Sequence, residues 1–269
     1  MDIASILILF AAGCAAGILA GYLALDIGLF LVPLLLVWYG SAHVSGLVAI
    51  RLALGGSLPV ACLMSVVTAY RSHREGFVVW PVVLKASAAG IIGAVGGTFL
   101  AGLLKVETLT QLFGLAAFVA GVQMFVIRRK PKDIRFEPPL ALLKLNAYGV
   151  LAGMVAAFTS TGNYLLTQPL LYKQLHIQLK RSIGTATAMS AIVFASAGIA
   201  YLFGGSNPST IPQFSMGYVD FLRILPLSAG AVLCAGIGRR LNETGPARNV
   251  RVVTGILLIG MAIKLVVAP

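Results

Sequence analysis

The sequence predicts an all-α integral membrane protein of two inverted repeats. Each repeat would hold a broken or re-entrant hairpin plus three spanning helices, giving eight full spans and two half-helices. Three observations carry this prediction: composition, the lengths of the apolar runs, and an internal duplication. Of 269 residues, 59% are apolar (AVILMFWYC), 30 are Gly and only 10% are charged. So little charge cannot cover a water-soluble globule of 28.1 kDa, and the hydropathy excludes a disordered chain. Lipid is the solvent for most of the molecule.

Long runs with few charges occur at 3–25, 44–70, 77–104, 108–127, 140–158, 182–204, 218–238 and 250–268. Each is near the roughly 20 residues that a helix needs to cross about 30 Å. Runs 27–39 and 163–172 are too short to cross, and each contains a proline, Pro33 or Pro169. A short apolar helix directly behind a full span is the pattern of a re-entrant element, which a membrane tolerates where protein encloses it. Placing Pro33 on Pro169 also places Gly13 on Gly149 and Gly17 on Gly153. After a shift of five residues, Gly76 falls on Gly217. The chain therefore reads as a duplicated unit, 1–127 and 140–269, joined by the charged linker 128–139. Glycines at four-residue spacing (Gly13, Gly17, Gly21; Gly93, Gly97; Gly149, Gly153) predict tight helix packing.

The net charge of +12 does not point to nucleic acid, because the basic residues form short clusters between apolar runs rather than a stripe with interleaved aromatics. Fourteen of the 20 lie in four connectors, 71–76, 128–139, 173–181 and 239–251, while 204–217 has none. The positive-inside bias puts the four basic connectors in the cytoplasm. Equivalent connectors of the two halves then face opposite sides, as an inverted repeat requires. Eight plain spans in parallel repeats would instead put the basic residues of 239–251 outside.

No catalytic motif is present, so an enzyme is not expected, nor is a cofactor or a metal. Cys14, Cys62 and Cys234 read as small core residues. His43, His73 and His176 read as interfacial side chains. The hairpin apices, Ala24–Gly28 and Thr159–Tyr164, are the candidate site. Half-helices starting at Gly28 and Asn163 would aim unpaired N–H groups at the midplane, where an anion could bind. Ser160, Thr161, Gly162, Asn163 and Tyr164 would surround it, with Thr185 and Thr187 lining the same cavity. Ser160 and Thr161 could equally serve as caps. Asp26 and Arg51 are charges inside predicted spans, hence functional candidates: Arg51 as an anion clamp, Asp26 as a proton carrier, or the two as an ion pair. Lys85, Lys264, Asp220 and Arg223 lie near span ends and read as snorkelling side chains.

The segments GILAGYLALDIGLFLVPLLL (17–36) and GVLAGMVAAFTSTGNYLLTQPLLY (149–172) resemble the glycine-rich stretch followed by P-x-L that opens each half of the sulfite exporter TauE/SafE family. SIGTATAMS (182–190) resembles the Thr-containing stretch that follows. The chain differs from the family's run of three glycines at 26–28 and 162–164, and has Arg51 where Thr or Ser is usual. The resemblance implies a multi-pass protein of the bacterial inner membrane that moves small sulfur-containing anions such as sulfite, thiosulfate or organosulfonates. The expected function is a secondary transporter of such anions, alternating access around a midplane site between the repeats. Its expected partners are a small anion, membrane lipids, protons as coupling ions and a second copy in a homodimer. The alternative is a non-transporting membrane scaffold or partner-binding protein.

Overall fold

The computed structural model describes residues 3–42, 44–126, 141–173, 177–204, 214–244 and 247–267. The linker 128–139, His43, His176 and most of the uncharged 204–217 connector lie outside them. In chain order the elements are α1 (Ile3–Leu23), α2 (Gly28–Ser41), α3 (Gly46–Arg74), α4 (Trp80–Leu103), α5 (Val106–Val126), α6 (Ala141–Thr159), α7 (Gln168–Lys173), α8 (Leu179–Phe203), the two-residue strands β1 (Ser215–Met216) and β2 (Val219–Asp220), α9 (Phe221–Thr244) and α10 (Ala247–Val267). A π-helical turn, Asn163–Thr167, leads into α7.

Among the described residues, seven helices are long and apolar enough to cross a membrane: α1, α3, α4, α5, α8, α9 and α10. The eighth expected span, 140–158, falls on α6, a 19-residue helix whose described side chains run from Leu145 to Thr159. The two short runs are helical where expected. The first forms α2, with Pro33 inside it. The second is split into the π-helical turn and α7, and Pro169 explains the split: a proline cannot donate to the carbonyl four residues earlier. That carbonyl, Leu165 O, instead accepts from Gln123 Nε2 of α5 at 3.2 Å.

Helix pairs form on the glycine stripes. Along α1, Gly13, Gly17 and Gly21 face Leu227, Ala231 and Ala235 of α9; a Cβ at Gly17 would lie 2.8 Å from Ala231 Cα. Along α4, Gly93 and Gly97 face Val150 and Met154 of α6. Both pairs run parallel. Two further pairs run antiparallel: α3 with α8, where Pro59 lies near Gly198 and Ser72 near Gly184, and α5 with α10, where Gly114 lies near Ala262 and Gly121 near Gly255. These directions give the bundle two distinct ends. One carries the end of α3, the start of α8 and the end of α9, with Arg71, Arg74, Lys180, Arg181, Arg239 and Arg240; we call it the basic end. The other carries the start of α3, the end of α4 and the β1–β2 hairpin.

Backbone conformation marks the junctions. Ala24 (φ 54°) and Ser160 (φ 51°) take the left-handed conformation that ends α1 and α6, although neither is glycine. Gly76 (φ 74°) and Gly217 (φ 57°) take it in the turns before α4 and α9.

Adjacent glycines of α4 test this packing. Gly97→Ala would put a Cβ 2.9 Å from Met154 Cα, whereas at Gly96 nothing lies within 4 Å. We expect Gly97→Ala to cost about 1–3 kcal/mol by overpacking. Gly96→Ala should be neutral or stabilising by up to about 1 kcal/mol through helix propensity. Unfolding in detergent micelles measures both.

Candidate functional site

A helix interrupted within a bilayer leaves polar backbone groups that lipid cannot satisfy, so each interruption must find a protein partner. Here the two interruptions lie against one another. The Gly162 N–H donates to Asp26 Oδ2 at 3.0 Å, and Asp26 is only 7% exposed. A Cβ at Gly28 would lie 2.7 Å from Ser160 Cβ, so glycine is what lets α2 begin this close to the second apex. The hydroxyls of Thr159 and Thr161 share a 2.7 Å hydrogen bond, and Thr167 Oγ1 donates to Gly162 O at 3.2 Å. Ser160 is fully buried, and its hydroxyl has no hydrogen-bond partner among the described residues.

In front of this junction lies a cavity of about 320 Å³, lined by α1, α3, α8, α9, the first apex and Gln168 at the start of α7. Its inner part is lined by Asp26, Ala61, Thr187 and Phe194, and its mouth at the basic end by Arg71, Glu75, Lys180 and Arg239. Arg239 forms an ion pair with Glu75, joining α9 to the end of α3 across the mouth. The Lys180 ammonium lies 5.6 Å from the centre of the Phe77 ring. With Asp26 engaged by Gly162 and Glu75 by Arg239, Arg71 and Lys180 bias the mouth toward anions. Among the described residues no group of three His, Cys, Asp or Glu side chains gathers to hold a metal ion.

Of the residues expected from the sequence, Asp26 and Thr187 line the cavity, and Gly28, Ser160, Thr161 and Gly162 build the junction behind it. The side chains of Asn163 and Tyr164 lie outside the described part of the structure. Two expectations need correction. Thr185 does not face the cavity: its hydroxyl accepts the Val79 N–H at 3.0 Å, at the start of α4. Two residues apart on a helix is about 200°, so Thr185 and Thr187 must point to opposite sides.

Arg51 is the second correction, since it does not pair with Asp26. It sits at the end of the bundle opposite the basic one, where Nη2 donates to Gly102 O at 2.7 Å and to Leu104 O at 3.3 Å, while Nη1 donates to Tyr218 Oη at 3.1 Å. The carbonyls at a helix C-terminus carry partial negative charge and lack helical partners, which is why a guanidinium settles there. Nearby, Asp220 and Arg223 do not snorkel. Asp220 is fully buried, forms an ion pair with Arg223, accepts from Tyr39 Oη at 3.3 Å, and caps α9 by accepting the Arg223 N–H at 3.4 Å. With Tyr201 Oη donating to Ala157 O at 3.0 Å, these contacts fasten that end of the bundle.

The mouth residues and the polar face of α3 escaped the sequence reading. Ser65, Thr68, Ser72 and Glu75 all line the cavity, at spacings of three and four. That is a polar stripe on one face of an apolar helix, and periodicity would have revealed it.

Residues 8–265 match the family model described as Sulfite exporter TauE/SafE. A Haemophilus influenzae (strain ATCC 51907 / DSM 11121 / KW20 / Rd) protein described as "Probable membrane transporter protein" is 24% identical over 262 residues, covering 97% of each chain. No solved structure matches significantly.

Double-mutant cycles test these contacts. Arg51→Gln with Tyr218→Phe should show a coupling of about 0.5–3 kcal/mol, while Arg51→Gln with Asp26→Asn should be additive within about 0.5 kcal/mol. Unfolding in micelles provides the energies; the reverse ranking would mean that Arg51 reaches Asp26 after all.

Proposed function

The chain belongs to the sulfite exporter TauE/SafE family, whose model covers residues 8–265, and on that premise we propose that it is a secondary transporter of small sulfur-containing or organic anions. The observation that carries this reading is the cavity: it opens at one end and stops on Asp26, where the two interrupted helices meet. The anion enters past Arg71 and Lys180 and is held by Thr187, Ser65, Thr68 and Gln168 at the inner wall. A negative charge beside Asp26 is unfavourable while the carboxylate is ionised. Protonation removes that repulsion and weakens its hold on the Gly162 N–H, so proton and anion move together. Arg51 and Thr185 are left out of this site.

We further propose that units 1–127 and 140–269 are inverted repeats that rock against one another. Three observations support this. Packing partners exchange between the halves, α1 with α9 as α4 with α6. Left-handed residues recur at aligned positions, Ala24 with Ser160 and Gly76 with Gly217. Asp26 and Gly162, which the alignment makes equivalent, are hydrogen-bonded to each other. A residue meets its own counterpart only near the axis relating two copies. The basic end is cytoplasmic by the positive-inside bias, in a bacterial inner membrane, so the cavity describes an inward-facing state.

Proteoliposome flux of radiolabelled sulfite, thiosulfate, taurine and sulfoacetate tests the proposal. At least one should accumulate against its gradient when protons flow with it, and Asp26→Asn should leave flux insensitive to the pH gradient. Lys180→Gln should raise KM with little change in maximal flux. A protein that carries none of these anions in either direction would favour the scaffold reading.

A further inference from the structure

Outside the central cavity, a groove of about 420 Å³ lies where α3 and α9 reach the basic end, lined by Arg71, Leu233, Gly236, Ile237, Arg239 and Arg240. Leu233, Gly236, Ile237 and Arg240 follow one another at spacings of three, one and three, so they form a single face of α9. This face points away from the α1 contact, which uses Leu227, Ala231 and Ala235. Leu233 is 69% and Ile237 51% exposed, so their side chains meet lipid. Along the face, composition changes from apolar to cationic toward the membrane surface. Across it lies the Arg71 side chain of α3: a Cβ at Gly236 would be 3.4 Å from Arg71 Nη1 and 3.6 Å from Nη2. The glycine thus gives the guanidinium a flat seat on α9, where it donates no hydrogen bond to any described residue.

We propose that this groove is a binding site for an anionic phospholipid. The phosphate sits between Arg71 and Arg240, with Arg239 at its back, and an acyl chain runs along Ile237 and Leu233. The pattern fits a lipid better than a free anion, because the site is half apolar and its apolar half lies on the hydrocarbon side. Planar guanidinium groups suit phosphate oxygens, which they can engage through two parallel N–H donors. Arg71 also lines the mouth of the central cavity, so a lipid bound here fixes the position of a residue that the transported anion passes. Basic grooves between helices at the cytoplasmic surface are a general means of holding acidic lipid headgroups.

Native mass spectrometry of the purified full chain tests this with phosphatidylglycerol and phosphatidylcholine of identical acyl chains. The unaltered protein should retain phosphatidylglycerol roughly fivefold or more over phosphatidylcholine, about the effect of one basic residue at the surface. Arg71→Gln with Arg240→Gln, both at exposed positions, should bring the ratio close to one. Gly236→Leu keeps every charge but takes the seat of Arg71, and it should also lower the ratio. Equal retention of the two lipids by the unaltered protein would overturn the proposal, as would an undiminished preference in the double variant. If millimolar inorganic phosphate displaces phosphatidylglycerol and raises the unfolding temperature of the unaltered protein but not of the double variant, the groove belongs to a soluble anion instead.

Discussion

Where α1 and α6 end among apolar helices, their interrupted backbones must satisfy each other, and the rest of the structure is arranged around that necessity. Asp26 accepts the Gly162 N–H, Gly28 lets α2 begin against Ser160, and Ala24 and Ser160 hold left-handed backbone to make the turns. A left-handed non-glycine residue costs about 1–2 kcal/mol, and such a cost persists where surrounding structure enforces it. The enforcement here comes from the parallel pairs α1–α9 and α4–α6, whose glycine stripes bring backbones close enough to fix where each apex falls. Gln123 completes the arrangement by serving the carbonyl that Pro169 cannot reach.

Charge is distributed around this junction with opposite effects at the two ends. At the end away from the basic connectors, Arg51, Asp220 and Arg223 are consumed in contacts between elements: helix C-terminal carbonyls, two tyrosine hydroxyls and an N-cap. Breaking the pair of Asp220 with Arg223 strands the buried carboxylate at a cost of about 3–5 kcal/mol, so these contacts hold the elements of that end together. At the basic end the ion pair Arg239–Glu75 joins partly exposed side chains. Pairs of that kind are worth about 0–1 kcal/mol. The ion pair across the mouth of the cavity is therefore weaker than the one at the opposite end.

Much of this was legible in the sequence. The apolar runs gave the helices, proline and length together marked 27–39 and 163–172 as interrupted, and the glycine spacing marked the packing faces. The starts of the short helical segments at Gly28 and Asn163 followed from their flanking residues. What escaped was the partner of each charge. Arg51 and Asp26 are both intramembrane charges of the first half, and pairing them was economical. Yet the side chain of Arg51 lies with residues 51 to 167 positions away, which only tertiary packing determines. Asp220 and Arg223 looked peripheral because they lie at a helix start, whereas a hairpin and Tyr39 cover them. The stripe Ser65, Thr68, Ser72 and Glu75 was present in the sequence but masked by the apolar average of α3.

The central claim is that an anion occupies the cavity in front of Asp26 and reaches it from the basic end. The most direct measurement is protection of a cysteine placed at Thr68 in a cysteine-free chain, reconstituted in known orientation and labelled with an impermeant maleimide. The account predicts reaction only from the face bearing Arg71 and Lys180, slowed in a saturable way by the anion that the protein carries. Labelling from the opposite face alone, or at a rate no transported anion changes, would contradict it.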